Sequence, residues 1–224
     1  MRLAGVAERF QLLREQAKAA GMRGDVETAE RLWHEALDAA TAADNGVGIS
    51  ACRLNLVDLA NETRRHERSE ALALENLPFV RERGQTRCEA YTLAALGETW
   101  MYLERPQEAA DHALAGARRA SQIHNESLTA FCLDIFAAAT AQGDALRAAT
   151  ILGATEAARD AMGTVPDQHE GAIRARTLEL LPRDSGDLEA VRTAGRALDL
   201  AAALELAAVD DARSEALSNT NMRR

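Results

Sequence analysis

The sequence predicts an all-α chain built as a stack of helical hairpins, closed by a C-terminal helical cap. Three observations carry this. Apolar residues make up 47% of the chain, yet aromatics only 4%, because alanine fills much of the quota. Alanine is the best helix former, and its small side chain lets helices approach closely. The four prolines and the scarcity of alternating β-branched runs argue against a sheet. Second, a small residue recurs at Ala29, Ser69, Ala109 and Ala148, in steps of 40, 40 and 39, each time four or five residues after a polar turn. Third, other columns hold in the same register. Nine positions before these anchors stand Ala20, Ala60, Trp100 and Ala139; twelve before, Ala17, Val57, Gly97 and Phe136; four after, Trp33, Ala73, Ala113 and Leu152.

The elements follow in order. Helices are expected over 4–21 and 26–43, 48–63 and 67–83, 86–103 and 107–123, and 126–141 and 145–162. Gly24-Asp25 and Gly143-Asp144 each pair a glycine that tolerates left-handed backbone with an aspartate that accepts from the next helix's free N–H groups. Arg64-Arg65 and Glu104-Arg105 are weaker turns, the second helped by Pro106 at a helix start. The segment Gly46-Val47-Gly48 reads as a linker between repeats. One hairpin cannot cover its own apolar face, whereas stacked hairpins bury a continuous core, the α-solenoid arrangement. The four hairpins span 1–163 and capping helices span 164–216: Asp167 caps a helix that runs to Leu181 before Pro182, with further helices over 185–196 and 199–216. Residues 217–224 read as a disordered tail.

Charge and motifs narrow the function classes. The net charge of −9, from 35 acidic and 26 basic residues, disfavours nonspecific nucleic-acid or anionic-membrane binding. Neither partner is expected. Cys52, Cys88 and Cys132 are widely spaced, without a CxxC pair, and read as thiols packed in a reducing compartment. No stretch of about 18 apolar residues is free of charge, and the N-terminus lacks a signal-peptide core, so a cytoplasmic protein is expected. His34-Glu35 and His66-Glu67 lack the second histidine of HExxH, and His112, His124 and His169 are scattered among polar residues. Ser50, Ser69, Ser121 and Ser127 have no GxSxG context. A cysteine nucleophile is the weaker alternative to core packing. The expectation is a protein that is not an enzyme, with no catalytic residue, no metal site and no cofactor.

The columns resemble the tetratricopeptide repeat, whose helix A carries a small residue and a glycine, and whose helix B carries alanine, an aromatic and alanine. Ala29, Trp33 and Ala36 match helix B; Leu96, Gly97 and Trp100 match helix A. Ser69 stands where the first alanine is usual, and Asn76 and Thr155 where the last is. The period near 40 exceeds the usual 34, which makes the array similar to those of large bacterial regulators such as the maltose-regulon activator. Locally, Ala148–Gly163 (AATILGATEAARDAMG) and Gly195–Ala207 (GRALDLAAALELA) resemble the C-terminal end of actinobacterial LuxR-type regulators. The chain contains no GxxxxGK[ST] phosphate loop and no basic recognition helix, so the likeness is to a sensor or scaffold portion.

The resemblance implies a right-handed solenoid whose helix A faces line a concave groove. The groove residues it implies are Arg14 and Lys18; Leu54, Asp58, Asn61 and Glu62; Tyr91, Glu98, Met101 and Tyr102; and Leu133 with Thr140. Tyrosine and methionine offer adaptable apolar contact, and carboxylates attract a basic segment. A protein or peptide partner in the groove is the leading expectation. A small-molecule or signal-peptide sensor is the alternative, and a homodimer through the ends of the array is a further expectation.

Overall fold

The computed structural model describes residues 2–166, 168–181 and 188–209, with side chains from residue 8 onward except at 168 and 169. Among the described residues there are eleven helices and no strand. They divide into two compact units, Met1–Leu103 and Glu104–Arg224.

The first unit holds α1 (Arg2–Met22), α2 (Val26–Ala42), α3 (Gly46–Glu62), α4 (His66–Glu82) and α5 (Thr86–Tyr102). From α1 to α5 successive helices pack against one another; α3 also touches α1 and α5. The odd-numbered helices thus form one layer and α2 and α4 the other. The burial pattern agrees. In α2 the buried residues are Ala29, Leu32, Trp33, Ala36, Ala39 and Ala40, a single stripe at helical spacing. In α5 every residue from Thr92 through Met101 is buried.

The turns explain the regularity. Residues with positive φ fall at Gly24, Asp44, Arg64, Gly84, Glu104 and His124, every 20 residues. The following residue is the N-cap of the next helix, and at Asp25, Asn45, Arg65, Gln85 and Asn125 its N–H donates to a carbonyl five residues back, on Ala20, Ala40, Ala60, Val80 and Ala120. This is the longer bond of a Schellman C-terminus, fused here to the next helix start. A non-glycine residue in the left-handed region costs about 1–2 kcal/mol, which the two helix ends it joins must outweigh. The repeating element is therefore one helix and one turn, with a period of half the predicted one, and no separate linker exists between hairpins. Gly46–Gly48, expected as linker, is the first turn of α3: Asn45 Oδ1 accepts from Gly48 N at 2.9 Å. A Cβ on Gly48 would stand 3.0 Å from Phe10 Cζ, so this glycine lets α1 lie close.

The anchors Ala29, Ser69, Ala109 and Ala148 each stand four residues after an N-cap (Asp25, Arg65, Arg105, Asp144), and all are buried. Eleven of the twelve other column positions are buried too. The exception is Ala139, half-buried. The α7–α8 turn is one residue out of step, so the position equivalent to Ala60 and Trp100, fifteen after the N-cap Asn125, is Thr140, which is half-buried as well.

The second unit holds α6 (Pro106–Gln122), α7 (Glu126–Thr140), α8 (Ala145–Met162), α9 (Gln168–Leu180), α10 (Leu188–Gly195) and α11 (Leu200–Ala207). α6, α7 and α8 pack in succession, and then the order breaks: α9 lies on α7, α10 on α8, and α11 against α6, α7 and α8. The C-terminal helices fold back over earlier helices of the unit. Asp167 and Pro182, expected to bound α9, and the tail 217–224 lie outside the described residues, as does the end of the helix expected over 199–216.

Candidate functional site

Two regions are candidates, one in each unit. In the first, α1, α3 and α5 carry the residues that the sequence assigns to a groove. Asp58 and Glu98 each lie thirteen residues after their N-caps, Asn45 and Gln85, and so occupy the same level on α3 and α5. Lys18, Asp58, Glu62 and Tyr91 are exposed; Arg14, Leu54 and Tyr102 are half-buried. Arg14 pairs with its neighbour Glu15 at 2.7 Å, and Tyr102 stacks on His66 with ring centres 4.7 Å apart.

Four of the assigned residues are not presented to solvent. Asn61, Glu98 and Met101 are 5%, 2% and 5% exposed, and Leu133 is fully buried. Asn61 is turned inward by hydrogen bonds, Nδ2 donating to Thr99 Oγ1 at 3.1 Å. Glu98 and Met101 belong to the enclosed stretch of α5. Leu133 sits on α7, which α6, α8, α9 and α11 all pack against, so the returning C-terminal helices remove the open face that a regular array would leave. Thr140 is half-buried, its hydroxyl donating to Phe136 O at 2.9 Å.

Sequence reasoning missed the polar seams that fix this layer. Thr92 and Thr99 lie seven apart on one face of α5. Each donates its hydroxyl proton four residues back, to Cys88 O at 2.8 Å and Ala95 O at 2.7 Å. Each hydroxyl oxygen then accepts from α4: Asn76 Nδ2 at 2.9 Å on Thr92, Ser69 Oγ at 2.8 Å on Thr99. Asn76 Nδ2 also donates to Ser50 Oγ on α3 at 3.1 Å. The signal was present: Ser69 and Asn76 are the two departures from alanine in α4's columns, and each spends its polar atom on a buried partner.

The second unit uses charge. Asp134 is fully buried, and Arg159 on α8 is 4% exposed. Arg159 Nη1 lies 2.7 Å from Asp134 Oδ2, and Thr155, the remaining departure from alanine, donates to Asp134 Oδ1. Arg174 on α9 is 3.8 Å from the same carboxylate. Burial pushes the Asp134 carboxyl above the ordinary carboxylate range, opposed by Arg159, Thr155 and Arg174. Next to Thr155 on α8, Glu156 receives Arg174 and Arg192, each at 2.9 Å, and Arg196 at 3.5 Å, while Asp160, one turn on, also takes Arg196. α10 lies against α8 backbone to backbone: a Cβ on Gly153 would stand 2.0 Å from Arg192 O, and one on Gly195 2.3 Å from Thr150 O.

Beside this clasp lies a cleft of about 520 Å³, bounded by the α6–α7 turn, one face of α8 and the α10–α11 turn. That volume is within the range of small-molecule sites.

No family model and no curated protein matches this chain. Its chemistry is read from its own side chains. Burial pushes the Cys52 thiol up to about 12 and raises that of Cys132 as well, so neither supplies a thiolate near neutrality. Among the described residues, no three His, Cys, Asp or Glu side chains converge as metal ligands do, and no helix is long and apolar enough to cross a membrane.

Proposed function

We propose that the chain is a non-catalytic interaction module, a right-handed tetratricopeptide-like array that grips a protein or peptide segment on its odd-helix layer. In this reading it is the scaffold or sensor portion of a cytoplasmic bacterial transcriptional regulator of the LuxR-type or maltose-activator-like kind. The observation that carries it is the placement of Lys18, Asp58, Glu62 and Tyr91, exposed together on α1, α3 and α5 of one layer. Exposed carboxylates and an aromatic ring on one layer suit a basic amphipathic segment. The test is selection of binders from a peptide library by the intact chain. Asp58→Lys with Tyr91→Ala should abolish recovery, while Leu74→Arg on α4, in the other layer, should not. Equal recovery by all three proteins removes the layer from the account.

A second reading, a small-molecule sensor, is favoured by the cleft in the second unit. A homodimer is a further part of the proposal, tested by light scattering over a concentration series.

A further inference from the structure

The cleft beside α8 has a chemistry of its own. Its floor is small and apolar, formed by Ala157, Ala158 and Ala161, with Leu198 added from the α10–α11 turn. Two carboxylates line it, Glu126 at the first position of α7 and Asp199 at the N-cap of α11, with one imidazole, His124, and no lysine or arginine. Asp199 commits Oδ1 to Ala202 N at 2.8 Å, which leaves its second oxygen. Among the described residues neither carboxylate makes an ion pair. Each stands at a helix N-terminus, whose partial charge of about +0.5 offsets half of it, so the pair still leaves the cleft negative. An anionic ligand would meet both carboxylates without a counter-charge. Both carboxylates are exposed at the rim, so a purely apolar ligand would gain nothing from them.

We propose that this cleft binds a small organic cation with an apolar body, an alkyl- or arylalkylamine. Its ammonium group faces Glu126 and Asp199, and its body lies on the alanine floor. The proposal rests on the small-molecule reading above and adds the ligand's charge. The wall formed by the α10–α11 turn is held from outside the cleft, by the Gly153–Gly195 contact and by Glu156 on Arg192 and Arg196. Occupancy therefore bridges α7, α8 and α11, and protects the C-terminal helices from opening.

The test titrates the intact chain with three probes of one shape and different charge: 2-phenylethylamine, 2-phenylethanol and phenylacetate. Calorimetry or ligand-observed NMR should give saturable binding of the amine with Kd of about 1 mM or tighter, a fragment-sized affinity. The alcohol and the acid should bind at least about tenfold more weakly, as two lost charge contacts imply. Glu126→Gln with Asp199→Asn should bring the amine down to the alcohol's level while keeping the fold, since asparagine caps as well as aspartate. Ala158→Leu should fill the floor and remove the binding. Alcohol or acid binding as tightly as the amine overturns the cationic assignment and leaves a small-molecule cleft. No saturable binding by any probe overturns both. Amine binding unchanged in the double variant places it elsewhere and also overturns the proposal.

Discussion

The two units solve one problem in different ways. Small, alanine-rich helices slide easily, because one apolar stripe fits another at several registers. The first unit sets neutral groups at the centre of its seam, two threonines on α5 that accept from serine or asparagine on α4, with the ion pairs Arg53–Glu75 and Arg81–Glu89 alongside. The second fixes α7, α8, α9 and α10 with charge: a buried Asp134–Arg159 pair, and Glu156 beneath three arginines. The difference follows architecture. In the first unit the polar groups join successive elements of a regular stack, where short side chains reach. In the second, α9 and α10 return over earlier helices, and arginines are long enough to tie them down. Trimming a buried neutral seam costs about 1–2 kcal/mol, less than the loss of about 3–5 kcal/mol expected when one member of a buried ion pair is removed.

That contrast can be broken or sharpened by experiment. The largest effect is expected for Arg159→Met, which leaves Asp134 buried without its principal counter-charge: about 3–5 kcal/mol in urea denaturation, with the pair Asp134→Leu and Arg159→Met recovering most of it. Should Arg159→Met cost no more than a trimmed hydroxyl, the ionic seam is not what fixes the second unit. Next comes Gly153→Ala. Its Cβ has no room beside Arg192 O, so a loss of about 1–3 kcal/mol is expected, with faster hydrogen exchange in α10 but not in α2. Asn76→Ala restores the usual repeat residue yet removes two buried hydrogen bonds. We expect a loss of about 1–2 kcal/mol, and a stabilised variant would falsify the seam's role.

The smallest effect concerns pH. The hydrogen bonds from Thr28 to the Asp25 carboxylate hold it below the usual aspartate range. A depressed folded value means that the stabilisation is present above the unfolded value and is lost as pH falls through the folded one. Between about pH 5 and pH 2 the unfolding midpoint of Asp25→Asn should fall less steeply than that of the parent protein. Parallel curves would show that the cap carries no charge contribution.

Much of the fold was legible in the residues. The anchor column, the glycine–aspartate turns and Pro106 at a helix start follow from local propensities, which act within a few residues. The 20-residue period was harder to read, because Asp44, Arg64, Glu104 and His124 occupy a left-handed position where glycine is usual. Of the residues assigned to a groove, exposure was legible where it follows from position on a helix, as for Asp58 and Tyr91. For Asn61, Glu98, Met101 and Leu133, burial depended on which neighbours closed over them. A charge within an apolar run, Asp134 in "FCLDIFAAAT", was the readable sign that a buried partner must exist, since an isolated carboxylate is not stable there.

The sequence by itself determined where helices start and stop and which stripe of each is apolar, because capping, backbone preference and side-chain periodicity are local. Only the tertiary structure decided that α9 to α11 return onto α6–α8, that Asp134 meets Arg159, and that a negatively charged cleft opens beside α8. Those features arise from contacts between residues far apart in the chain, and helical spacing carries no information about which distant face a stripe will meet.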